Sequence, residues 1–439
     1  MTVCWNKCNH IFARSNYHRM KVFKFGGASI NTAERIRNVG HILRFFPGEP
    51  IMVVVSAMGK TTNALEKVVD AFFKGDKEEA LELFSGVKQQ HIDLARELLK
   101  DPSPCEASLN NFFTEAEWLL HDKPVRSYDY YYDQVVCIGE LLSSSIVSAY
   151  LTESGNTNLW IDVRDIFRTD DDFRNATIDW EVTQKKIDTD IRPAFGKTNI
   201  VLTQGFIGAT DENESTTLGR EGSDYSAAVF ANLLDAESLT IWKDVEAVMN
   251  ADPKQFSSAE AIPELNYHEV IEMAYYGAQV IHPKTIKPLQ NKHIPLHVKS
   301  FIDPALPGTL IHEGQVSHLP PIIVLKEKQV MLEMSSRDFS FIGERQVSKL
   351  YRLFEEAHVS PNLTQNGAIT FTAVLDDHPQ KIENLALAAS GFLEVQVIRG
   401  LSLLTIRHYQ KELVDILTKG KSILLRQQTP ETIQMLLSE

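Results

Sequence analysis

Lys21-Val-Phe-Lys-Phe-Gly-Gly-Ala-Ser29 is the stretch on which the fold turns. A nearly continuous apolar run, Lys21–Phe25, ends in two glycines. Runs of this kind are expected of strands buried on both faces of a parallel sheet. Gly26 and Gly27 allow backbone N–H groups to approach phosphate oxygens closely. Lys24 adds a positive charge at the strand's carboxyl end, where open α/β sheets bind ligands. A tight turn with a surface lysine has the same local sequence, so this stretch gains meaning only from its neighbours.

Outward from it, similar runs recur at Pro50–Ser56, Asn158–Asp162, Asn199–Thr203, Ser238–Trp242 and Ile294–Lys299. Helical patterns lie between them at Thr32–Phe45, Asn63–Phe73, Lys77–Leu99, Leu141–Leu151 and Ser223–Leu234. This alternation predicts an α/β domain with a largely parallel sheet over residues 20–313. Asp303–Pro321, rich in Pro and Gly, marks a boundary. Residues 314–439 then read as strand, helix, strand, helix, strand, which fits a ferredoxin-like α+β unit with room for a split strand. The last of these strands is expected to end at Arg399, before Gly400, and the chain from Leu401 to start a second, truncated copy.

Composition narrows the classes. A chain of 439 residues predicts two or three domains, and 43% hydrophobic with 23% charged residues fits a globular protein. A net charge of −14 argues against nucleic acid as a partner. No apolar stretch is read as approaching the roughly 20 residues of a membrane helix, so no membrane partner is expected. Four cysteines make no disulfide framework. Cys4, Cys8 and His10 form only half a zinc pattern, and no resident metal site is expected. Residues 1–19 have neither signal-peptide nor transit-peptide character, and are expected to be a disordered extension or an over-extended start. The default location is cytoplasmic.

Four further segments carry chemistry. In Val55-Ser-Ala-Met-Gly-Lys-Thr-Thr-Asn63, Gly59-Lys60-Thr61 imitates a P-loop. That motif requires a glycine at position 54, which is valine, so the phosphate cradle is not made. Ser56 and Thr62 read better as hydroxyls facing a small polar substrate beside a helix N-terminus, or as cap and turn residues. Gly139-Glu140 opens an apolar helix, where the carboxylate can bind an ammonium group or offset the helix dipole. Thr203–Gly208 and Thr217–Ser226 bring Gly208, Gly219 and Gly222 together with Arg220, Ser223 and Asp224. Backbone donors at a helix N-terminus suit an anion, and Arg220 can clamp a carboxylate with two prongs. Last, Trp242–Lys254 is a strand followed by a turn-rich loop. Together these segments predict a phosphate-handling α/β enzyme with a small acidic substrate.

In order, KFGGAS, VVVSAMGKTTN, IGELLS, TQGFIG, TLGREGSDYSA, WKDVEAVMNADP, MAYYGAQVIHP and VKSF…PGTLI resemble the aspartate kinase branch of the amino-acid kinase family. The resemblance runs from Lys21 to about Thr405. It implies a three-layer αβα domain followed by paired ACT-type regulatory units. It also implies transfer of the γ-phosphoryl of ATP, with Mg²⁺, to the β-carboxylate of L-aspartate, a first step toward lysine, threonine and methionine. Lys24 would neutralise charge on the phosphoryl group and Asp224 would organise the centre. Ser56, Thr62, Glu140 and Arg220 would hold aspartate. Gly26, Gly27, Ser223, Lys243, Asp244, Met249 and Lys254 would serve the nucleotide. Met334, Ser336, Arg337 and Phe339 sit where such regulatory units bind an amino acid, here lysine or threonine as feedback effector. The family often has lysine where this chain has Gln279, which leaves one ATP contact open.

The acceptor carboxylate, with a pKa near 4, is ionised at pH 7, so no general base is required. Catalysis would come from positioning and charge neutralisation. A homodimer is expected by analogy. The alternatives are another amino-acid or carbamate kinase of this fold, and a non-catalytic amino-acid sensor. A P-loop enzyme is a distant third, and a fused homoserine dehydrogenase does not fit the length that follows the boundary.

Overall fold

The computed structural model describes residues 20–278 and 280–438. The expectations for residues 1–19 and for Gln279 fall outside these. The chain divides into two units, one of residues up to Val248 with Pro263–Tyr267 and Ile281–Gln315, the other of Met249–Ile262, His268–Val280 and the chain from Val316. The second unit therefore begins close to the Pro/Gly-rich stretch, yet it also takes in two segments from earlier in the chain.

In the first unit, β1 (Lys21–Phe25), β2 (Ile51–Val55), β3 (Asn158–Trp160), β4 (Ile200–Gln204), β7 (Ser238–Lys243), β8 (Glu264–Asn266), β9 (Leu296–Ser300) and β10 (Thr309–His312) form one sheet. Its order is β3-β4-β2-β1-β7-β9-β10-β8, parallel except where β10 runs against β9. β5 (Ile207–Ala209) and β6 (Ser215–Thr217) make a separate hairpin. All five residues of β2 are buried, as its apolar run requires. The helix Gly222–Leu233 packs on β1, β2 and β7, while the helix Ile138–Glu153 packs on β2 and β4.

Helix ends follow local capping chemistry. The Thr32, Asp76 and Ser127 side chains accept from the N–H groups of Arg35, Glu79 and Tyr130. Lys60 of the false P-loop is exposed at the entrance to the helix Thr61–Lys74. The helical run Tyr128–Glu153 corrects one expectation, since it is long and apolar enough to cross a membrane. It is mostly buried inside the protein, which makes it a core helix.

The second unit has a six-stranded sheet of β11 (Ile322–Ser335), β12 (Leu363–Asn366), β13 (Thr370–Asp376), β14 (Glu394–Arg407), β15 (Ser422–Gln428) and β16 (Thr432–Ser438), in the order β12-β13-β11-β14-β16-β15. With the helices Glu344–Glu356 and Pro379–Ala389, the first half is a complete ferredoxin-like βαββαβ unit. The second half is less truncated than the sequence suggests. Ile322–Lys326 of β11 pairs with Leu403–Arg407, so this half has four strands and lacks only a second helix. The apparent break at Gly400 is a glycine with φ 75° inside the continuous strand β14, near a register shift of its partner around Gln329.

Arg407 at the end of β14 is buried. Its guanidinium grips both oxygens of Glu269 (2.5 and 2.8 Å) and reaches Glu272 (3.0 Å) and Thr432 Oγ1 (2.9 Å). Burial alone would raise the Glu269 carboxyl; Arg407 and His408 outweigh it and hold the group below its ordinary range. We expect Arg407→Met to destabilise the second unit by roughly 3–5 kcal/mol, because Glu269 stays buried without its partner. Adding Glu269→Gln should restore much of this. Denaturant unfolding at pH 7 measures both, and an unchanged midpoint for the single variant would contradict the assignment.

Candidate active site

Because β4, β2, β1 and β7 are adjacent and parallel, the loops that follow them share one edge of the sheet. Lys24 on β1 lies between Val54 and Ile241, and its Nζ is 2.6 Å from Asp224 Oδ1 in the first turn of the helix Gly222–Leu233. Both side chains are nearly buried, at 11% and 6% exposure. Burial pushes the Asp224 carboxyl up, but Lys24 and Lys243 prevail and hold it below its usual value.

Two close approaches set the loops. A Cβ on Gly27 would stand 2.3 Å from the Ala57 carbonyl oxygen, and the Gly59 N–H donates to Gly27 O at 2.9 Å. A Cβ on Gly205 would stand 2.8 Å from Ser223 Cα, so glycine lets β4 run up to the start of that helix.

A cavity of about 380 Å³ opens here, lined by Lys24, Ser56, Thr62, Glu140, Arg220, Ser223 and Asp224 among others. With Gly219 and Gly222, nine of the residues singled out in the sequence thus share one space. Glu140 is buried on the helix Ile138–Glu153. Its Oε1 accepts from the Ala57 N–H at 3.3 Å, and its Oε2 has no partner among the described residues. Burial pushes its carboxyl up to about 8, against the pull of the Ala57 N–H. A cationic ligand group would satisfy that free oxygen.

The cavity also shows what the sequence concealed. Tyr132, Arg174, Phe206, Thr217 and Glu221 line it too. Arg174, Phe206 and Glu221 have φ of 69°, 72° and 52°, left-handed conformations that cost non-glycine residues on the order of 1–3 kcal/mol and gather at functional sites. Behind the wall, buried Asp133 accepts from Arg174 N (2.9 Å), Thr217 N (2.8 Å) and Thr217 Oγ1 (2.7 Å). Burial lifts its carboxyl to about 7 despite these donors. A lone carboxylate within the apolar run Tyr130–Cys137 was the available signal.

The expected nucleotide residues are dispersed. Gly26 passes beside the Lys24 ammonium, and Asp244 is exposed and paired with Arg35 at 2.8 Å. Lys243 ends β7 near enough to act on the charge of Asp224. Met249 and Lys254 belong to the second unit, where Met249 bridges to Ala261 and Lys254 is exposed. In the expected effector turn, Ser336, Arg337 and Phe339 are at the surface or close to it, and Ser336 Oγ and Ser340 N bond Asp338. Met334 is a correction: its side chain is fully buried in the core with Leu332 and Phe371, and is not available to a ligand. Among the described residues, no group of three or more His, Cys, Asp or Glu could hold a metal.

The chain belongs to the amino acid kinase family, which it matches over residues 19–300. Among its relatives are chloroplastic aspartokinases 1 and 2 of Arabidopsis thaliana. They are 34% and 32% identical across 82% and 81% of this chain, which spans 64% and 66% of their length, under two thirds. Lysine-sensitive aspartokinase 3 of Escherichia coli is 28% identical, covering 88% of this chain and 86% of that one. Among solved structures, E. coli aspartokinase III with aspartate and ADP (R-state) superposes with a TM-score of 0.79 at 25% identity, covering 95% of this chain and 96% of that one. The same enzyme with lysine and aspartate (T-state) gives 0.81 at 26%, with 95% of each chain covered.

Gly27→Ala tests the loop contact. Since the opposing atoms are backbone, the loops must part, and overpacking of this kind costs about 1–3 kcal/mol. Thermal unfolding should fall accordingly; a variant as stable as the parent would show that the two loops are not pressed together.

Proposed function

We propose that this protein is an aspartokinase, which transfers the γ-phosphoryl group of ATP to the β-carboxylate of L-aspartate to give 4-phospho-L-aspartate. The carrying observation is one cavity that joins the buried Lys24–Asp224 pair to Glu140, whose Oε2 is unmatched among the described residues, and to the exposed Arg220. The aspartate and ADP in the E. coli enzyme support the choice of ligands.

In this reading Glu140 takes the substrate ammonium, Arg220 its α-carboxylate, and the Ser56 and Thr62 hydroxyls orient the acceptor. The acceptor is already an anion, so the protein's task is alignment and neutralisation of charge. Lys24 and Lys243 both act on the Asp224 carboxylate, which places two cations at this end of the site to face phosphates. Gly26, Gly27, Ser223, Lys243 and Asp244 are assigned to the nucleotide, with Met249 and Lys254 as further candidates. One buried carboxylate beside a phosphate site suits Mg²⁺, which takes one or two carboxylates together with substrate phosphates. Asp224 would face it, and the ion would supply charge neutralisation. A regulatory role for the turn Ser336–Phe339, with lysine or threonine as effector, is part of the proposal and draws support from the lysine complex of the E. coli protein. So are a homodimer and a cytoplasmic location.

The test is ADP release with L-aspartate, with hydroxylamine trapping the acyl phosphate. Lys24→Ala should reduce hydroxamate formation by on the order of 100-fold or more, the usual scale for losing one transition-state charge contact. No aspartate-dependent turnover in the parent protein would overturn the assignment.

Glu140 adds a pH signature. With its pKa near 8 in the empty site, the carboxyl is mostly protonated at pH 7, and taking an ammonium group requires it to ionise. Aspartate binding should therefore release a proton below pH 8. KM should fall as pH rises toward 8 and level off above it, and Glu140→Gln should abolish that slope. A KM independent of pH between 6 and 8 would count against this role.

A further inference from the structure

Arg174 belongs to no motif that the sequence brings out, yet its placement is over-determined. Its φ of 69° is one that glycine adopts freely and arginine does not. Its N–H is anchored on buried Asp133 at 2.9 Å, and the same carboxylate holds Thr217 by both N and Oγ1. One buried group thus fixes the segment carrying Arg174 and the strand leading to Arg220. The two segments also touch: a Cβ on Gly219 would stand 3.0 Å from Asn175 Oδ1 and 3.3 Å from Arg174 O. The guanidinium is steadied from outside by Asp129 Oδ1 at 3.0 Å and by the ring of Tyr132, 4.4 Å from its carbon to the ring centroid.

Both arginines are exposed residues that line the same cavity. Arg220 has no ion-pair partner among the described residues, and the partner of Arg174, Asp129, is itself half exposed. A carboxylate has about four acceptor sites and can receive two guanidinium forks at once. We propose that Arg174 closes with Arg220 on the substrate's α-carboxylate, which makes Arg174 a specificity-determining residue for free amino acids over α-blocked ones. This rests on the kinase reading above. It explains why an arginine is kept in a conformation that glycine would adopt without strain.

The experiment compares L-aspartate with its α-amide, which retains the ammonium group and the acceptor carboxylate. The main variant is Arg174→Gly, which removes the guanidinium and relaxes the backbone, so it should fold at least as well as the parent. KM for aspartate should rise on the order of 10-fold, the scale of one charged hydrogen bond, with a smaller change in kcat. KM for the amide should hardly move, so the preference for aspartate drops by about the same factor. Arg174→Lys should recover part of the preference, since it keeps the charge and loses the fork. An equal loss on both substrates, or unchanged selectivity, would overturn the proposal. If the parent turns over neither substrate, the kinase reading fails instead. Calorimetric binding of the two ligands to parent and Arg174→Gly then still decides the clamp: a tenfold loss for aspartate alone supports it, and equal binding refutes it.

Discussion

Everything in the first unit is arranged around an ammonium and a carboxylate, Lys24 and Asp224, held together where little water reaches. Neither could be buried alone, because an unpaired charge in such a place costs several kcal/mol. Their union joins the central strand β1 to the start of the helix Gly222–Leu233, the same helix that packs on β1, β2 and β7. Gly205 lets that helix come close, and Gly27 ties the loop after β1 to the loop after β2. The buried pair thus both anchors the helix to the sheet and presents charge at the sheet's carboxyl edge.

The other side of the cavity follows a different rule. Glu140 and Asp133 are buried carboxylates whose ionisation burial opposes. Asp133 offsets this with three donors from the walls it supports, whereas Glu140 keeps one oxygen unmet. A carboxylate satisfied by its own chain serves the scaffold; one left unsatisfied in a cavity awaits a ligand. The same chemical group thus has two roles, separated by its partners.

How much of this was legible can be judged element by element. The strands of the parallel sheet stood out because an apolar run between turn residues has a local signature, and the glycine motifs fell where such strands end. The helix Tyr128–Val136 was missed: Tyr128-Asp-Tyr-Tyr-Tyr-Asp133 is rich in aromatics that favour strands, and its helicity rests on the Ser127 cap and on packing such as that of Phe72 on Tyr131. Arg174 and Phe206 were missed because their importance lies in left-handed conformations and in contacts with distant residues. Asp133 meets Thr217 across 84 positions of sequence, and no local pattern encodes such a pairing. In the second unit, Gly400 suggested a strand end, while the sheet uses it as an irregularity within one long strand. The strand missing from the second half is supplied by the beginning of β11, far upstream.

The pairing of Arg407 with Glu269 spans 138 residues, and it bears on how the chain is made. During synthesis the helix Tyr267–Tyr276 emerges long before β14. At ~5–20 residues per second it spends roughly 7–28 s with its two glutamates still solvated and the sheet of its unit unborn. The Pro/Gly-rich stretch looks like a seam at which the gene could be cut into an amino-terminal and a carboxy-terminal piece. Cut there, the first piece would carry Met249–Ile262 and His268–Val280 without the sheet they belong to, and the second would carry a buried arginine parted from Glu269 and Glu272. The seam in the sequence is not the boundary between the units.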